Sequence, residues 1–482
     1  MADTEEYFPR GGKKPTTTYF KQSTNFLGAP EKGEKKKKKP KKKSEGDDGY
    51  LSDEGTKEID QSFKNCALGL SYKTVKEGLL ILGRVKNILE TKVVVSLPCR
   101  LIGSVMACHI SEPYNKELEA YVNDKTDKVL DLAQMFRPGQ YIAVKVLEVK
   151  ELNLLLSVMP QHVNGQTTIK DLQKGNLIQA AVSSVEDHGY VMDLGVPSTT
   201  AFLPKSNTNP DIELDVGMVC WCTIKSPPAP GGGVVTLSNE LVSLQNSWLR
   251  HKTSGPLLPG SNLDFLVDTP LENGIEGHVF GDTVAYVQRQ HADTVKGKKP
   301  SLGQKIRARL LYVMPTRNTP FLTMRSIFDS TYPDLSLEQQ LKDGQIIEEA
   351  QVLKITGRSI HFRLGGGCFG TMSLKRIQVD EDLSDEEVVA KSYPIGSTHK
   401  VRVLCYNLSD YVYSVTDQPE VVSEKYFNLE QLRCGDLVDA TVKSVAENHV
   451  LLNVGRVSDH KRLHISLIFQ QRDSLHTEAV YQ

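Results

Sequence analysis

The sequence predicts an all-β protein in which five-stranded barrels follow one another in tandem after a disordered, lysine-rich N-terminal tail. Three observations support this prediction. From residue 76 onward, apolar runs led by glycine recur with a long period. Within these runs, apolar and polar residues alternate, as they do in strands with one buried face. Residues 1–60, in contrast, contain too few apolar residues to offset the entropy of an ordered chain.

The tail carries a strong local charge. Residues 32–43 hold nine lysines against one glutamate, whereas the whole chain of 482 residues has a net charge of −1. Such a run has the composition of a nuclear-localisation signal and could also hold RNA without sequence preference. The lysines assigned to this basic run are Lys35, Lys36, Lys37, Lys38, Lys39, Lys41, Lys42 and Lys43.

A glycine marks the start of each predicted repeat. These glycines are Gly78, Gly175, Gly260, Gly344 and Gly435. A second glycine-led strand follows within each of the first four repeats. The predicted domains are the tail (1–60), four full repeats (76–160, 173–240, 258–328 and 342–418) and a partial or truncated fifth repeat (433–482).

Each repeat is too short for an open sheet with protected edges. Five short strands can remove their edges by closing into a small barrel, and the OB type has this number of strands. The positions of the glycines and the long insertion after the third strand favour the barrel. An array of β-sandwiches is the alternative.

The segment VEDHGYVMDLG (185–195) resembles the core of the S1 motif, an RNA-binding OB-fold family, and His109-Ile110-Ser111 resembles a later segment of the same motif. The order of a Phe8-Pro9-Arg10-Gly11-Gly12 opening, a lysine-rich stretch and diverged repeats resembles a eukaryotic family of ribosomal RNA-processing proteins. This resemblance implies a nuclear, nucleolar ribonucleoprotein factor of ribosome biogenesis that belongs to the small-subunit processome. The chain after Gly455 departs from the family pattern.

The resemblance to the S1 family also implies where RNA binds. Single-stranded RNA is held by stacking its bases on rings and by neutralising its phosphates. Carried over to this sequence, the family pattern places His188 and Tyr190 at the stacking positions, Lys205 near the family's histidine and Lys225 at the end of the fourth strand. The alternative is that Tyr190 only decorates the barrel surface.

Other repeats carry weaker candidates for RNA contact. The first repeat keeps His109, and the fourth has Arg358 at a ring position, where a guanidinium could stack or pair with phosphate. In the third repeat, Arg307 and Arg309 alternate along one strand and so share a face, although this face could simply be solvated. The repeats without rings are better explained as largely structural or protein-binding barrels, and weak RNA contact is the alternative.

Several function classes are disfavoured. The eight cysteines form no Cys-x-x-Cys pair and lack histidines at zinc spacing, and no run of 18 apolar residues is present. No catalytic or phosphate-loop motif was found. The sequence therefore predicts no enzyme activity, cofactor, metal, membrane span or small-molecule substrate.

We expect a scaffold that binds single-stranded pre-ribosomal RNA together with other ribosome-assembly proteins. The alternative is a protein–protein scaffold in a nucleolar ribonucleoprotein whose barrels touch little RNA.

Overall fold

The computed structural model describes residues 67–480 except for internal gaps. The gaps are residues 127, 151–152, 229–232, 253–254, 272, 293–299, 332, 334, 357–358, 375–388, 390, 426, 428–430, 432, 434–439, 446–448, 455–462 and 469–478. The predicted tail with its lysine run, and the candidate Arg358, lie outside the described residues.

Barrel 1 consists of five strands that close into a ring. The strands are β1 (Leu80–Ile88), β2 (Lys92–Leu97), β3 (Leu101–Met106), β4 (Tyr141–Val149) and β5 (Leu154–Ser157). β1 pairs with β2 and β4, β2 pairs with β3, and β5 joins β4 to β3 with a parallel pairing. Because every strand has two neighbours, no edge is left open. Helices α1 (Glu112–Val122) and α2 (Leu132–Met135) fill the insertion between β3 and β4.

Barrels 2, 3 and 4 repeat this ring with the same strand order. Barrel 2 comprises β6 (Leu177–Glu186), β7 (Gly189–Asp193), β8 (Thr200–Pro204), β9 (Val219–Ser226) and β10 (Val234–Ser238). Barrel 3 comprises β11 (Asn262–Leu271), β12 (Gly274–Val279), β13 (Thr283–Gln288), β14 (Lys305–Met314) and β15 (Thr319–Thr323). Barrel 4 comprises β16 (Ile346–Thr356), β17 (Ser359–Gly365), β18 (Cys368–Ser373), β19 (Thr398–Asn407) and β20 (Val412–Thr416). The prediction of tandem five-stranded barrels is confirmed.

Short helices and turns connect these strands. A helix follows each barrel: α3 (Pro160–Val163), α4 (Leu241–Gln245), α5 (Leu335–Glu338) and α6 (Pro419–Val422). Turns of 3-10 helix occur at Pro98–Arg100, Ala107–His109, Ile169–Asp171, Lys205–Asn207 and Arg289–His291. Within the predicted fifth repeat, β21 (Ala440–Val445), β22 (His449–Val454), β23 (Leu463–Ile468) and β24 (Ala479–Val480) form an antiparallel sheet.

The recurring glycines have a conformational reason. The glycine that opens each barrel has a positive φ between 84° and 90°, a region that residues with a Cβ rarely adopt. These glycines are Gly78, Gly175, Gly260 and Gly344. The inward positions of the strands are apolar and buried, so each barrel is filled by its own side chains.

Direct contacts join the barrels to one another. β1 pairs with β14 through Ile81 and Tyr312, so barrels 1 and 3 share one ten-stranded sheet. Between barrels 1 and 2, the buried Gln179 side chain exchanges hydrogen bonds of 3.0 and 3.1 Å with the backbone of Ala143. The indole of Trp221 donates to the Tyr141 carbonyl at 2.8 Å. Barrels 2 and 3 are therefore each docked on barrel 1 by direct contacts.

Candidate nucleic-acid interface

Three of the residues predicted to bind RNA meet at one end of barrel 2. His188 is exposed in the turn between β6 and β7, and its carbonyl accepts the backbone N–H of Lys205 at 3.0 Å. Lys205 is exposed and opens the 3-10 turn that ends at Asn207. Lys225, at the end of β9, donates its ammonium to Asn207 Oδ1 at 2.6 Å. One short turn thus gathers an imidazole and two ammonium groups.

The predicted role of Tyr190 as a stacking platform is wrong. Its side chain is only 8% exposed and belongs to the apolar core of the barrel. Tyr190 lies two residues before the buried Met192 on β7, and residues two apart on a strand point to the same side. Since both point inward, the Tyr190 ring has no face to offer a base.

The outward ring at this end is Phe202, which the sequence reasoning missed. Phe202 lies on β8 between the buried residues Ala201 and Leu203, and it is half-exposed. Its ring covers Gly189, where an added Cβ would lie 2.7 Å from Phe202 Cζ. The absence of a side chain at Gly189 therefore lets the ring settle beside the His188 turn. The signal was present in the alternation of β8, whose inward positions are Ala201 and Leu203.

We call the surface formed by His188, Phe202, Lys205 and Lys225 the barrel-2 face. Val191 and Thr236 flank Phe202 on the neighbouring strands β7 and β10. The face combines an exposed imidazole, a half-exposed phenyl ring and two ammonium groups. These are the groups that hold bases by stacking and phosphates by charge.

Carboxylates border the same face. Glu186 and Asp187 are exposed next to His188, and Glu186 accepts a hydrogen bond of 2.8 Å from Ser184. They reduce the net positive potential, so the face by itself is suited to modest rather than tight binding of phosphate.

The prediction that Arg309 binds RNA is also wrong. Its side chain is 7% exposed, and its guanidinium donates to the carbonyls of Gly260, Leu244 and Gln245 at 2.9 to 3.0 Å. Burial, and to a smaller extent the charge of Arg307, lowers the pKa of Arg309 to about 10, so the group stays protonated at pH 7. Its donors are occupied by the backbone and cannot reach a phosphate.

Arg307 and His109 lie in other barrels. Arg307 is exposed and lies 4.7 Å from the ring centre of Trp248, so it remains a candidate for contact with phosphate. His109 is half-buried in a 3-10 turn of barrel 1, and its carbonyl accepts the N–H of Val158 at 3.0 Å. Neither residue is part of the barrel-2 face.

In barrels 1 and 4, the outer side of the second and third strands makes contacts between barrels. On β2 of barrel 1, Ser96 accepts two hydrogen bonds, of 2.6 and 3.3 Å, from Ser409 of barrel 4. On β17 and β18 of barrel 4, Ser359 and Thr371 each lie 3.3 Å from the guanidinium of Arg100 in barrel 1.

Barrel 3 uses the corresponding turn in a similar way. Asn273, which precedes β12 as His188 precedes β7, exchanges hydrogen bonds of 3.0 and 2.6 Å with the backbone of Ala67. Ala67 lies in the segment that leads into barrel 1.

Within the described ranges, no cluster of three or more His, Cys, Asp or Glu side chains is arranged to hold a metal ion. Over the same part of the chain, no helix has the length and apolarity needed to cross a membrane.

The chain is similar over most of its length to longer proteins. It is 28% identical over 471 residues to the rRNA biogenesis protein RRP5 of Drosophila melanogaster, covering 92% of this chain and 32% of that protein. It is 28% identical over 483 residues to the RRP5 homolog of Mus musculus, covering 94% of this chain and 25% of that one. It is 27% identical over 442 residues to the rRNA biogenesis protein rrp5 of Schizosaccharomyces pombe, covering 84% of this chain and 26% of that protein. The chain thus spans about a quarter to a third of the length of these relatives.

No protein-family model matches the chain. Among solved structures, a multidomain protein with nucleic acid binding domains from Streptococcus pneumoniae aligns with 51% of this chain. Its sequence identity of 13% and TM-score of 0.13 are too low to bear on function.

Proposed function

We propose that this protein is a non-catalytic RNA-binding scaffold of ribosome biogenesis, and that single-stranded RNA crosses the barrel-2 face. The similarity to proteins named for rRNA biogenesis supports the process. On this proposal the RNA is pre-ribosomal RNA, the partners are other ribosome-assembly proteins of the small-subunit processome, and the compartment is the nucleolus.

The observation that carries the RNA contact is the grouping of His188, Phe202, Lys205 and Lys225 at one end of barrel 2. A base stacked on a protein ring contributes about 1–3 kcal/mol. Each phosphate neutralised on a single strand adds about 0.7 to the slope of log affinity against log salt. Phe202 therefore contributes binding free energy that does not depend on salt, and the two lysines contribute binding free energy that salt weakens.

The two terms can be separated by substitution. Phe202→Ala should weaken binding of a labelled single-stranded oligouridylate by about tenfold, with an unchanged salt slope, because only stacking is lost. Lys205→Ala with Lys225→Ala should lower the salt slope by about 1.4, since two phosphate contacts are lost. Fluorescence anisotropy of the full chain at several salt concentrations measures both quantities.

Tyr121→Ala is the matched control, because Tyr121 is an aromatic residue that is 50% exposed on α1, outside the barrel-2 face. It should bind the oligouridylate as the unmodified chain does. Equal affinities for the Phe202→Ala variant, the double lysine variant and the control would contradict the proposed site.

A protein–protein scaffold is the second candidate function. The contacts that Ser96 and Thr371 make with neighbouring barrels favour it, because the outer sides of barrels 1 and 4 already contact other barrels of the same chain. On this alternative, substitutions in the barrel-2 face leave RNA affinity unchanged and instead remove a protein from complexes captured with the tagged chain.

A further inference from the structure

Barrel 4 presents a second aromatic and basic surface. Ser359, His361 and Arg363 alternate along β17, so they share its outer face. In the β17–β18 register, Thr371 lies opposite His361, and Phe369 lies opposite Arg363. Phe369 is 47% exposed, and Arg363 is exposed beside it. One end of this face thus offers a ring and a guanidinium to solvent.

Barrel 1 contributes a second cation, at the other end of this face. The guanidinium of Arg100 lies 3.3 Å from both Thr371 Oγ1, opposite His361, and Ser359 Oγ, two residues before it on β17. The backbone N–H of Arg100 is held by Asp410 Oδ2 at 2.6 Å, and Arg100 itself is exposed. Because the backbone is fixed by barrel 4, the position of this cation depends on barrel 4 being docked.

Barrel 3 contributes a third cation. Arg289 is exposed and follows Gln288, whose amide lies 3.4 Å from the sulfur of Cys99, the residue before Arg100. Two residues beyond Arg289, His291 Nε2 lies 3.6 Å from Asp410 Oδ1. These contacts bring the ends of barrels 1 and 3 to the same face of barrel 4.

The electrostatics of His361 agree with this convergence. Burial, followed by the positive charges of Arg100, Arg289 and Lys354, lowers the pKa of His361 to about 4. Lys354 lies directly opposite His361 in the β16–β17 register. Asp410 is 1% exposed and accepts backbone N–H groups of Cys99 and Arg100, so it is turned away from solvent. Among the described residues named here, the exposed charges are therefore those of Arg100, Arg289 and Arg363.

We propose that barrels 1, 3 and 4 together form a composite binding site for single-stranded RNA, in which Arg100, Arg289 and Arg363 hold phosphates and Phe369 stacks a base. This junction site rests on the proposed RNA-binding function but lies in other barrels than the barrel-2 face. Guanidinium groups suit phosphate because their donors match two oxygens at once. The exposed ring at the end of the cationic row favours RNA over an acidic protein segment, which offers no bases to stack.

The site has a structural consequence for RNA binding. None of the three barrels holds all the cations, so the site is complete only while barrel 4 is docked on barrels 1 and 3. RNA that binds the docked form better must stabilise docking by the same free energy. Barrel 4 would then be docked more stably on barrels 1 and 3 when RNA is bound than when it is not.

The test uses the full chain and a labelled single-stranded oligouridylate in fluorescence anisotropy at several salt concentrations. Replacing Arg100, Arg289 and Arg363 by glutamine should lower the affinity at least about tenfold and reduce the salt slope by about 2, because three phosphate contacts are lost. Replacing the same three arginines by lysine should restore most of the salt slope. Phe369→Ala should weaken binding with the slope unchanged.

The matched control replaces three exposed lysines elsewhere by glutamine, namely Lys128, Lys170 and Lys174. It removes the same charge and should change the slope by less than one unit. Hydrogen exchange that matches the unmodified chain shows that the glutamine variant still docks barrel 4.

The outcomes separate the two proposals. No binding of oligouridylate by the unmodified chain overturns the RNA function itself. Binding that the triple glutamine variant retains, with the slope of the lysine control, overturns the junction site alone. Polyglutamate is measured as a second ligand in the same assay. If the unmodified chain binds polyglutamate and the triple glutamine variant loses this binding but keeps oligouridylate binding, the junction site is also overturned, in favour of an acidic protein partner.

Discussion

Replacing Glu338 by alanine should loosen barrel 4 from barrel 1. Arg84 on β1 is 1% exposed, and its two terminal nitrogens bind the Glu338 carboxylate at 2.7 and 3.1 Å. The same guanidinium also donates to the carbonyl of Leu408 in barrel 4 at 3.0 Å and to that of Gly139 in barrel 1 at 3.1 Å. Glu338 is thus the counter-ion of a buried cation at the contact between the two barrels.

The structure sets the expected magnitude. Removing one partner of a buried ion pair costs about 3–5 kcal/mol, since a charge is left buried without compensation. The Glu338 side chain is 29% exposed, and two carbonyls still accept from Arg84, so the low end applies. A loss of about 3 kcal/mol raises the population of the undocked form by roughly 100-fold.

Hydrogen exchange followed by mass spectrometry would measure this change, because amides of β1 and β19 exchange faster when docking is weaker. Glu348→Ala, on β16 of barrel 4, is the matched control. Glu348 binds Lys400 at 2.9 Å, but these side chains are 69% and 52% exposed, so its loss should cost less than about 1 kcal/mol. Equal protection from hydrogen exchange in the Glu338→Ala and Glu348→Ala variants would refute the reasoning. It would mean that the burial of an ion pair does not set the free energy lost when one of its charges is removed.

Four further outcomes follow from the burial of single groups. Tyr190→Ala should lower the free energy of unfolding by about 3–5 kcal/mol in urea titrations, whereas Tyr190→Phe should leave oligouridylate affinity unchanged. Arg309→Met should destabilise the chain by about 1–3 kcal/mol, because buried carbonyls lose their donor, and should leave the salt slope of RNA binding unaltered. The pKa of His361 is lowered from 6.5 to about 4, so its contribution to stability is present above pH 6.5 and is lost as pH falls toward 4. His361→Gln should make the midpoint of urea unfolding depend less on pH over that range. Burial, and then Asp410, raises the pKa of the Cys99 thiol to about 11, so iodoacetamide at pH 8 should label exposed Cys108 before the partly buried Cys99; faster labelling of Cys99 would contradict this raised pKa.

The barrels could be predicted because their signals are local. A glycine with positive φ at each opening and apolar residues at every second position are properties of short segments. The same local rule is sufficient to place Tyr190 inside with Met192, whereas the resemblance to an RNA-binding pattern places it on the surface. Phe202 could have been found by applying the alternation to β8.

The roles of the arginines could not be predicted from such signals. Arg307 and Arg309 share one face of β14, yet only Arg309 is buried, because the end of α4 covers it. Arg100 forms part of the junction only because the β19–β20 turn, which carries Asp410, docks there. Contacts between residues separated by 64 to 310 positions leave no periodic trace in the sequence.

The buried arginines also show why net charge is a poor guide to RNA affinity in this chain. Arg309 of barrel 3 and Arg402 of barrel 4 occupy corresponding positions, and each donates to the carbonyl of its barrel's opening glycine, at 2.9 and 3.0 Å. Their remaining donors bind carbonyls at the ends of short helices: Leu244 and Gln245 for Arg309, Val421 and Glu424 for Arg402. Arg309 and Arg402 thus connect the short helices after barrels 2 and 4 to the strands that carry these arginines. Because their donors bind backbone carbonyls, they neutralise no phosphate and release no counterions when RNA binds. The salt slope should therefore follow the number of exposed cations on the barrel-2 face and at the junction site, and not the total number of basic residues.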